Sequence, residues 1–302
     1  MLTNAECRIE NTNRCQAHCA MCPRDTFTRE LTTMPQGHFE QVVNQAHDLG
    51  AKTISVFGFG EPLMDGRIVD KVEYCFRRGL DTFITSNGGL LTDDLGARLL
   101  DVGLRHIRFS VHGLFAQDYH KVHRGLEFTK VLHNIHNFIR LNEKRFINRC
   151  KVSVSVIPMR GESVEFIRDF WEYRVDWLEI WRPHGWGGAK GYRDLTEERK
   201  TTCGRVHKGP VQVQADGTVI PCCFLTNNEL VLGDTYKNTI EEILKGDKYA
   251  RLRHAHSTGN MAGLPCERCD QLNIGDNPLL YSNRDERRTI GSTSSIKFNL
   301  EE

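Results

Sequence analysis

The stretch RCQAHCAMC, residues 14–22, sets Cys15, Cys19 and Cys22 on one short loop directly after the strand-like run Cys7–Asn11. Intervals of three and two residues let the three thiolates converge on a single centre. Three is the telling number, because a structural zinc site and a fully protein-held 4Fe-4S cluster both normally take four protein ligands. With three thiolates one iron stays open, as in catalytic rather than structural metal sites.

Outward from this loop, short β-rich runs alternate with amphipathic patterns. The runs are Cys7–Asn11, Thr53–Phe57, Thr82–Thr85, His106–Val111, Val152–Ile157 and Trp177–Trp181. Between them Phe39, Val42, Val43 and Ala46, then Ile68, Val72 and Phe76, then Val131, Ile135 and Phe138 each fall on one helical stripe. Alternating strands and helices imply parallel pairing with right-handed crossovers. The predicted fold is α/β: a partial (β/α)6 TIM-like barrel over residues 1–185, with functional groups at the C-terminal strand ends.

Glycines in HGWGGAKG, residues 184–191, break regular structure and mark a connecting segment over 186–202. A small α+β unit is expected over 203–275. In it the alternating run Val211–Ile220, interrupted by Asp216-Gly217, predicts a hairpin that delivers Pro221-Cys222-Cys223. Thr239–Leu244 reads as a short helix. Residues 276–302, where Ser, Thr, Arg and Asp abound, read as a mobile tail.

The chain has 302 residues, 39% hydrophobic and 26% charged, with 40 basic and 39 acidic side chains for a net charge of +1. No apolar run reaches the roughly 18 residues of a membrane span. The balanced charge gives no field to gather a polyanion, so neither membrane nor nucleic acid is expected as a partner. Eleven cysteines, an odd number, in a chain whose start lacks a signal-peptide pattern, argue for a cytoplasmic protein without a disulfide framework. Cys7, Cys75 and Cys150 stand alone and read as small buried hydrophobes.

The Cys15/Cys19/Cys22 spacing after the first strand resembles the motif of the radical S-adenosylmethionine (radical SAM) superfamily. Phe59-Gly60-Glu61-Pro62, after the second strand, is similar to that family's Gly-Gly-Glu-Pro motif, with Phe59 in place of the first glycine. The resemblance implies that this turn holds the methionine amino group; Glu61 offers acceptors for an ammonium and Gly60 permits close backbone approach. Ser86, Asn87 and Ser110 fall where the family lines the methionine and ribose, and Arg124 where it reaches the methionine carboxylate. Met21 stands where an aromatic residue is usual. Downstream, Cys203, the PCC hairpin and Cys266-Glu-Arg-Cys269 resemble a shortened SPASM, or twitch, domain. The resemblance implies an auxiliary 4Fe-4S cluster on Cys203, Cys222, Cys266 and Cys269, with Cys223 as the alternative to Cys222.

On this reading the cofactors are S-adenosylmethionine and two 4Fe-4S clusters, one SAM-binding and one auxiliary. The implied activity is reductive cleavage of S-adenosylmethionine to a 5'-deoxyadenosyl radical that abstracts hydrogen from a polar small molecule or a peptide. An external donor such as flavodoxin or ferredoxin would supply electrons. The layout is similar to that of 2-deoxy-scyllo-inosamine dehydrogenase, which favours net oxidation, although that enzyme has an arginine where this chain has Trp186. Superfamily epimerases, which return hydrogen from a thiol, are the alternative, and there Cys223 is the candidate donor. A non-catalytic zinc-binding protein is the reading outside enzymology. Trp181, Arg182, His184 and Trp186 are candidates for a substrate wall, and His112 for a base.

Overall fold

A computed structural model describes residues 2–284 apart from 146, 148, 276 and 277. In chain order its strands are β1 (Glu6–Ile9), β2 (His18–Cys19), β3 (Thr53–Val56), β4 (Asp81–Ser86), β5 (His106–Ser110), β6 (His123–Arg124), β7 (Lys151–Val156), β8 (Trp177–Trp181), β9 (Val211–Val213), β10 (Thr218–Ile220), β11 (Gly233–Asp234) and β12 (Leu279–Ser282). The helices are α1 (Gln36–Asp48), α2 (Ile68–Arg77), α3 (Asp93–Asp101), α4 (Ala116–Val122), α5 (Phe128–Glu143), α6 (Val164–Trp171), α7 (Arg205–Lys208), α8 (Ile240–Lys245) and α9 (Asp247–Thr258). No helix among the described residues is long and apolar enough to cross a membrane.

The six predicted strands are β1, β3, β4, β5, β7 and β8, and they pair in parallel in that order. The sheet does not close. Beyond β1 it continues through β9, parallel to β1, and then antiparallel β10 and β11. At the other edge β12 lies antiparallel to β8. The predicted hairpin is therefore β9 and β10, turned at Asp216-Gly217 with Gly217 at φ +84, and it extends the barrel sheet itself. The expected tail from 276 is corrected over its first part: Leu280 and Tyr281 are buried, so Leu279–Ser282 is a sheet strand. The rest of that call, from 285 onward, lies outside the described residues.

Helices cover the outer face through the residues the periodicity picked out, with Phe39, Val42, Val43, Ala46, Val131, Ile135 and Phe138 buried. Phe76 is the exception. It is 41% exposed, its ring laid over Gly103, where an added Cβ would come within 2.5 Å of the ring; its neighbour Cys75 fills the core position instead. Cys7, Cys75 and Cys150 are fully buried, and burial pushes the Cys7 and Cys75 thiols up to about 12. Helix starts follow ordinary capping: Thr92 on α3, Ser163 on α6, and a reciprocal Thr239/Glu242 box on α8. Helix α9 was not expected from the sequence, because its buried face is only Tyr249, Leu252 and His256 on an otherwise polar helix.

The inner face of the sheet is polar and aromatic. Arg108 pairs with Glu179 at 2.9 Å and lies over Phe83; His106 stacks on Phe83 at 4.2 Å and meets Ser153 Oγ at 2.7 Å. Burial, reinforced by Arg108, Arg284 and Lys151, pushes His106 down to about 3. An unfolded histidine titrates near 6.5, so between roughly pH 6.5 and 3 the unfolded chain takes up a proton that the folded chain refuses. Stability should fall as pH drops through that window, by up to about 1.4 kcal/mol per pH unit for this ring. In urea unfolding compared at pH 7 and pH 5, His106→Phe is expected to flatten the pH dependence by that share; an unchanged slope would contradict the assignment.

Candidate active site

The loop after β1 is anchored before it presents any thiol. Glu10 is buried, and its carboxylate accepts both terminal nitrogens of Arg29, at 2.8 and 2.9 Å, plus the N–H groups of Phe59 (2.8 Å) and Ala215 (3.1 Å). The cluster loop, the turn after β3 and the hairpin are thus tied to one group. Gly58 has to be glycine here, since a Cβ would lie 2.4 Å from Glu10 Cγ.

Cys15, Cys19 and Cys22 follow. Burial raises all three thiols, Cys22 to about 11; at Cys19 the neighbouring Cys22 and Cys15 add to the effect. A metal bound here would take these three as thiolates, displacing their protons. Cys19 lies on β2, paired antiparallel with β6 so that it faces His123, while His18 faces Arg124. Arg124 is therefore beside the cysteine loop, on its exposed edge.

Gly60 crosses this loop so closely that a Cβ would stand 2.1 Å from the Thr12 carbonyl oxygen. Beside it, Glu61 N–H donates to Arg14 O at 2.8 Å, and Pro62 O accepts from Asn11 Nδ2 at 3.1 Å. The Glu61 carboxylate is engaged: Oε1 accepts from Ser86 Oγ (2.7 Å) and Leu63 N–H (3.1 Å), Oε2 from Asn87 N–H (2.8 Å). Burial raises its pKa against these three bonds. Three of the carboxylate's roughly four acceptor positions thus brace the ends of β3 and β4, with Ser86 in the brace, and Oε2 keeps a position open to the expected ammonium. Asn87 in turn takes Gln16 Nε2 at 3.0 Å and holds its own Nδ2 3.9 Å from Cys15 Sγ.

A cavity of about 270 Å³ opens between these turns and the hairpin. Phe59, Ser110, His184, Trp186 and Cys223 line it, as do Arg8, Gln212 and Gln214. Burial pushes His184 down to about 4, so the ring is neutral at ordinary pH. Gln214 is buried, and neither its amide nitrogen nor its oxygen has a partner. Arg8, held by Glu6 at 2.8 Å, lies 3.8 Å from Cys223 Sγ. A hydrogen bond with Cys222 and the guanidiniums of Arg8 and Arg205 hold the Cys223 thiol below its usual value, against burial.

Cys222, one residue earlier, lines a different cavity together with Cys203, Cys266 and Cys269, walled by Pro221, Leu225 and Leu272. Burial and then neighbouring thiols push Cys266 up to about 11. Four thiols around an apolar space suit a closed cluster, and Cys223 is not among them. The connecting segment laces the two regions: Trp186 Nε1 donates to Met21 O at 2.8 Å, Tyr192 OH to Ala20 O at 2.9 Å, and Lys190 pairs with Asp25.

Two expectations are corrected by this geometry. Of the proposed substrate wall, His184 and Trp186 line the cavity, whereas Trp181 and Arg182 are not among its lining residues and Trp181 Nε1 donates to Glu179 at 3.3 Å. His112 is not available as a base. It is buried off the cavity, and Nδ1 already accepts the Ile157 N–H at 2.9 Å. Sequence reasoning missed Glu10, Arg8, Gln212 and Gln214. Their signal was present: Glu6, Arg8 and Glu10 alternate with Cys7 and Ile9, as Gln212 and Gln214 alternate with Val211 and Val213, which marks strands whose inner face is polar.

Residues 9–170 match the radical SAM superfamily and residues 203–270 the SPASM iron-sulfur cluster-binding domain. The chain belongs to the radical SAM superfamily, in its SPASM/twitch subgroup, and its cofactors are S-adenosylmethionine, a SAM-binding 4Fe-4S cluster and an auxiliary cluster. It is 32% identical over 167 residues to a probable GTP 3',8-cyclase of Methanothermobacter marburgensis, covering 55% of this chain and 52% of that one. It is also 32% identical over 104 residues to a tungsten-containing aldehyde ferredoxin oxidoreductase cofactor-modifying protein of Pyrococcus furiosus, covering 34% and 29%. The chain spans about half the length of the cyclase relative, and less of the other. Among solved structures, BtrN in complex with AdoMet and 2-DOIA has a TM-score of 0.62 at 18% identity, covering 88% of this chain and 91% of that one. Streptococcus suis SuiB bound to precursor peptide SuiA has a TM-score of 0.67 at 15% identity, covering 89% and 70%.

The Glu10 clamp yields a direct prediction. Glu10→Ala strands the buried Arg29 charge and should destabilise the protein by about 3–5 kcal/mol in denaturant unfolding. Replacing both partners by methionine should recover part of that loss. Amide exchange at Phe59 and Ala215 is expected to speed up together in Glu10→Ala; independent behaviour of the two amides would show that the turn and the hairpin are not held by one group.

Proposed function

We propose that this protein is a radical SAM oxidoreductase that dehydrogenates a polar small molecule or a peptide held in the cavity between β1, the Phe59 turn and the hairpin. The observation that carries the reading is the division at the hairpin end, where Cys222 and Cys223 line two different cavities one residue apart. On this reading Cys15, Cys19 and Cys22 hold the SAM-binding cluster, and Cys203, Cys222, Cys266 and Cys269 the auxiliary one. Bound in these places, the cofactors would supply hydrogen-atom abstraction by a radical derived from S-adenosylmethionine and, at the auxiliary cluster, an acceptor for one electron.

The chain's own residues supply the rest. Cys223, which lines the cavity with its sulfur 3.8 Å from the Arg8 guanidinium, accepts the second hydrogen as a proton. The unpartnered Gln214 amide offers a donor and an acceptor to a polar group of the substrate. Phe59, Trp186 and Phe224 form an aromatic edge, with Phe59 and Trp186 centroids 5.7 Å apart, that keeps water from the reacting carbon. A flavodoxin or ferredoxin is the proposed reductant and the cytoplasm the proposed setting. The epimerase reading is favoured by the same Cys223, which as a thiol facing the cavity is able to return hydrogen to a carbon radical.

Two experiments test this. Anaerobic protein carrying Ala at Cys15, Cys19 and Cys22 should retain about four irons and lose S-adenosylmethionine cleavage, and Ala at Cys203, Cys266 and Cys269 should retain the other four. Loss of all iron from either folded variant would refute two independent sites, and stoichiometric zinc without S-adenosylmethionine cleavage would refute the enzyme. In deuterated water a dehydrogenase gives product two mass units lighter than substrate. One deuterium at an inverted carbon, abolished in Cys223→Ala, would instead establish epimerisation.

A further inference from the structure

We infer that His123 is a positioning residue for Cys19, whose sulfur it holds through a hydrogen bond that raises the reduction potential of the SAM-binding cluster. This rests on the reading of Cys19 as a cluster ligand. His123 Nδ1 lies 3.2 Å from Cys19 Sγ. A ring nitrogen at that distance can give or take a proton, and the structure determines which. The backbone N–H of His112, which can only donate, ends on His123 Nε2 at 3.0 Å. Nε2 therefore carries a lone pair, the imidazole proton sits on Nδ1, and Nδ1–H donates to the sulfur.

The donor is held from several sides. Pairing of β2 with β6 puts Cys19 opposite His123, with Ala20 N–H donating to Val122 O at 2.8 Å. The ring stacks between His112 at 4.8 Å and Tyr119 at 4.5 Å. His112 is itself oriented by the Ile157 N–H on its Nδ1. His123 is 2% exposed, so the bond acts in a dry environment. Hydrogen bonds to cluster sulfurs stabilise the more negative, reduced state, and their loss lowers the potential. Cys15 has different donors, the Ala17 N–H at 3.4 Å and Asn87 Nδ2 at 3.9 Å, so the histidine contact is particular to Cys19.

The test is a redox titration of anaerobic holoenzyme followed by electron paramagnetic resonance, with the SAM-binding cluster recognised by the change in its signal on adding S-adenosylmethionine. In His123→Phe the ratio of reduced to oxidised cluster at the wild-type midpoint should fall about tenfold, about 59 mV for one electron, while the auxiliary signal stays in place. His123→Asn, which offers an amide N–H close to the Nδ1 position, should recover most of the shift. Pulsed spectra of wild-type holoenzyme labelled with 15N-histidine should show a weak nitrogen coupling that disappears in His123→Asn. Full iron content with an unchanged potential in the Phe variant, or no nitrogen coupling in the wild type, would overturn the inference and leave the cluster assignment standing. Absence of iron from Cys15, Cys19 and Cys22 in the wild type would remove the cluster reading and this inference with it.

Discussion

Much of the site is positioned by the buried Glu10 carboxylate. Its two oxygens accept four hydrogen bonds, two from Arg29 and one each from the backbones of Phe59 and Ala215. A buried ion pair repays its desolvation only when the remaining lone pairs are also satisfied, and here they are. Arg29 is fixed in its turn, with Nε on Thr226 O at 3.0 Å and its guanidinium over Phe27 at 4.7 Å. The consequence is geometric. Residues more than 200 positions apart in the chain, the end of β1 and the hairpin, share one rigid point, so the cavity between them has a defined width.

A second constraint separates groups that hold the site from groups left to act. Glu61, Ser86 and the Asn87 backbone satisfy one another and join the ends of β3 and β4. Asp65 does the same lower down, taking Asn11 Nδ2 at 3.0 Å and Lys71 Nζ at 2.5 Å with both ends buried. Groups spent in this way fix the backbone from which ligands are bound. Polar atoms without such partners are few near the cavity, and Gln214 is the clear case. A buried amide left unsatisfied costs stability, and this one faces the cavity, where a water or a bound molecule would meet it.

The sequence was most legible where information is local. The six parallel strands, the hairpin with its Asp216-Gly217 turn and the short helix after Thr239 all follow from alternation, capping and turn residues within a few positions. The cysteine clusters were legible for the same reason. What escaped depends on distant pairing: β9 joining β1, β12 covering β8, and the Glu10 clamp. Helix α9 escaped because three buried residues in twelve leave little pattern to read. His112 misled because a histidine after a strand has the chemistry of a base, and only the fold reveals that its lone pair already accepts the Ile157 N–H.

The adjacent thiols Cys222 and Cys223 show how sequence and fold combine at the site. β10 ends at Ile220 and the chain turns after Pro221, with Leu225 N–H donating to Cys222 O at 3.3 Å; the two thiols are hydrogen-bonded to each other, and Cys222 lines the space shared with Cys203, Cys266 and Cys269 while Cys223 lines the barrel cavity beside Arg8. A single cysteine here could serve one cavity but not both. The register of this edge of the sheet is fixed by β9 against β1, where Arg8 stands opposite Gln212 and Ile9 opposite Val213. A slip of one residue in that pairing would exchange the faces and turn Gln212 and Gln214 out of the cavity. The Ala215 N–H bound to Glu10 opposes such a slip, so the clamp at the end of β1 also keeps Gln212 and Gln214 on the cavity side.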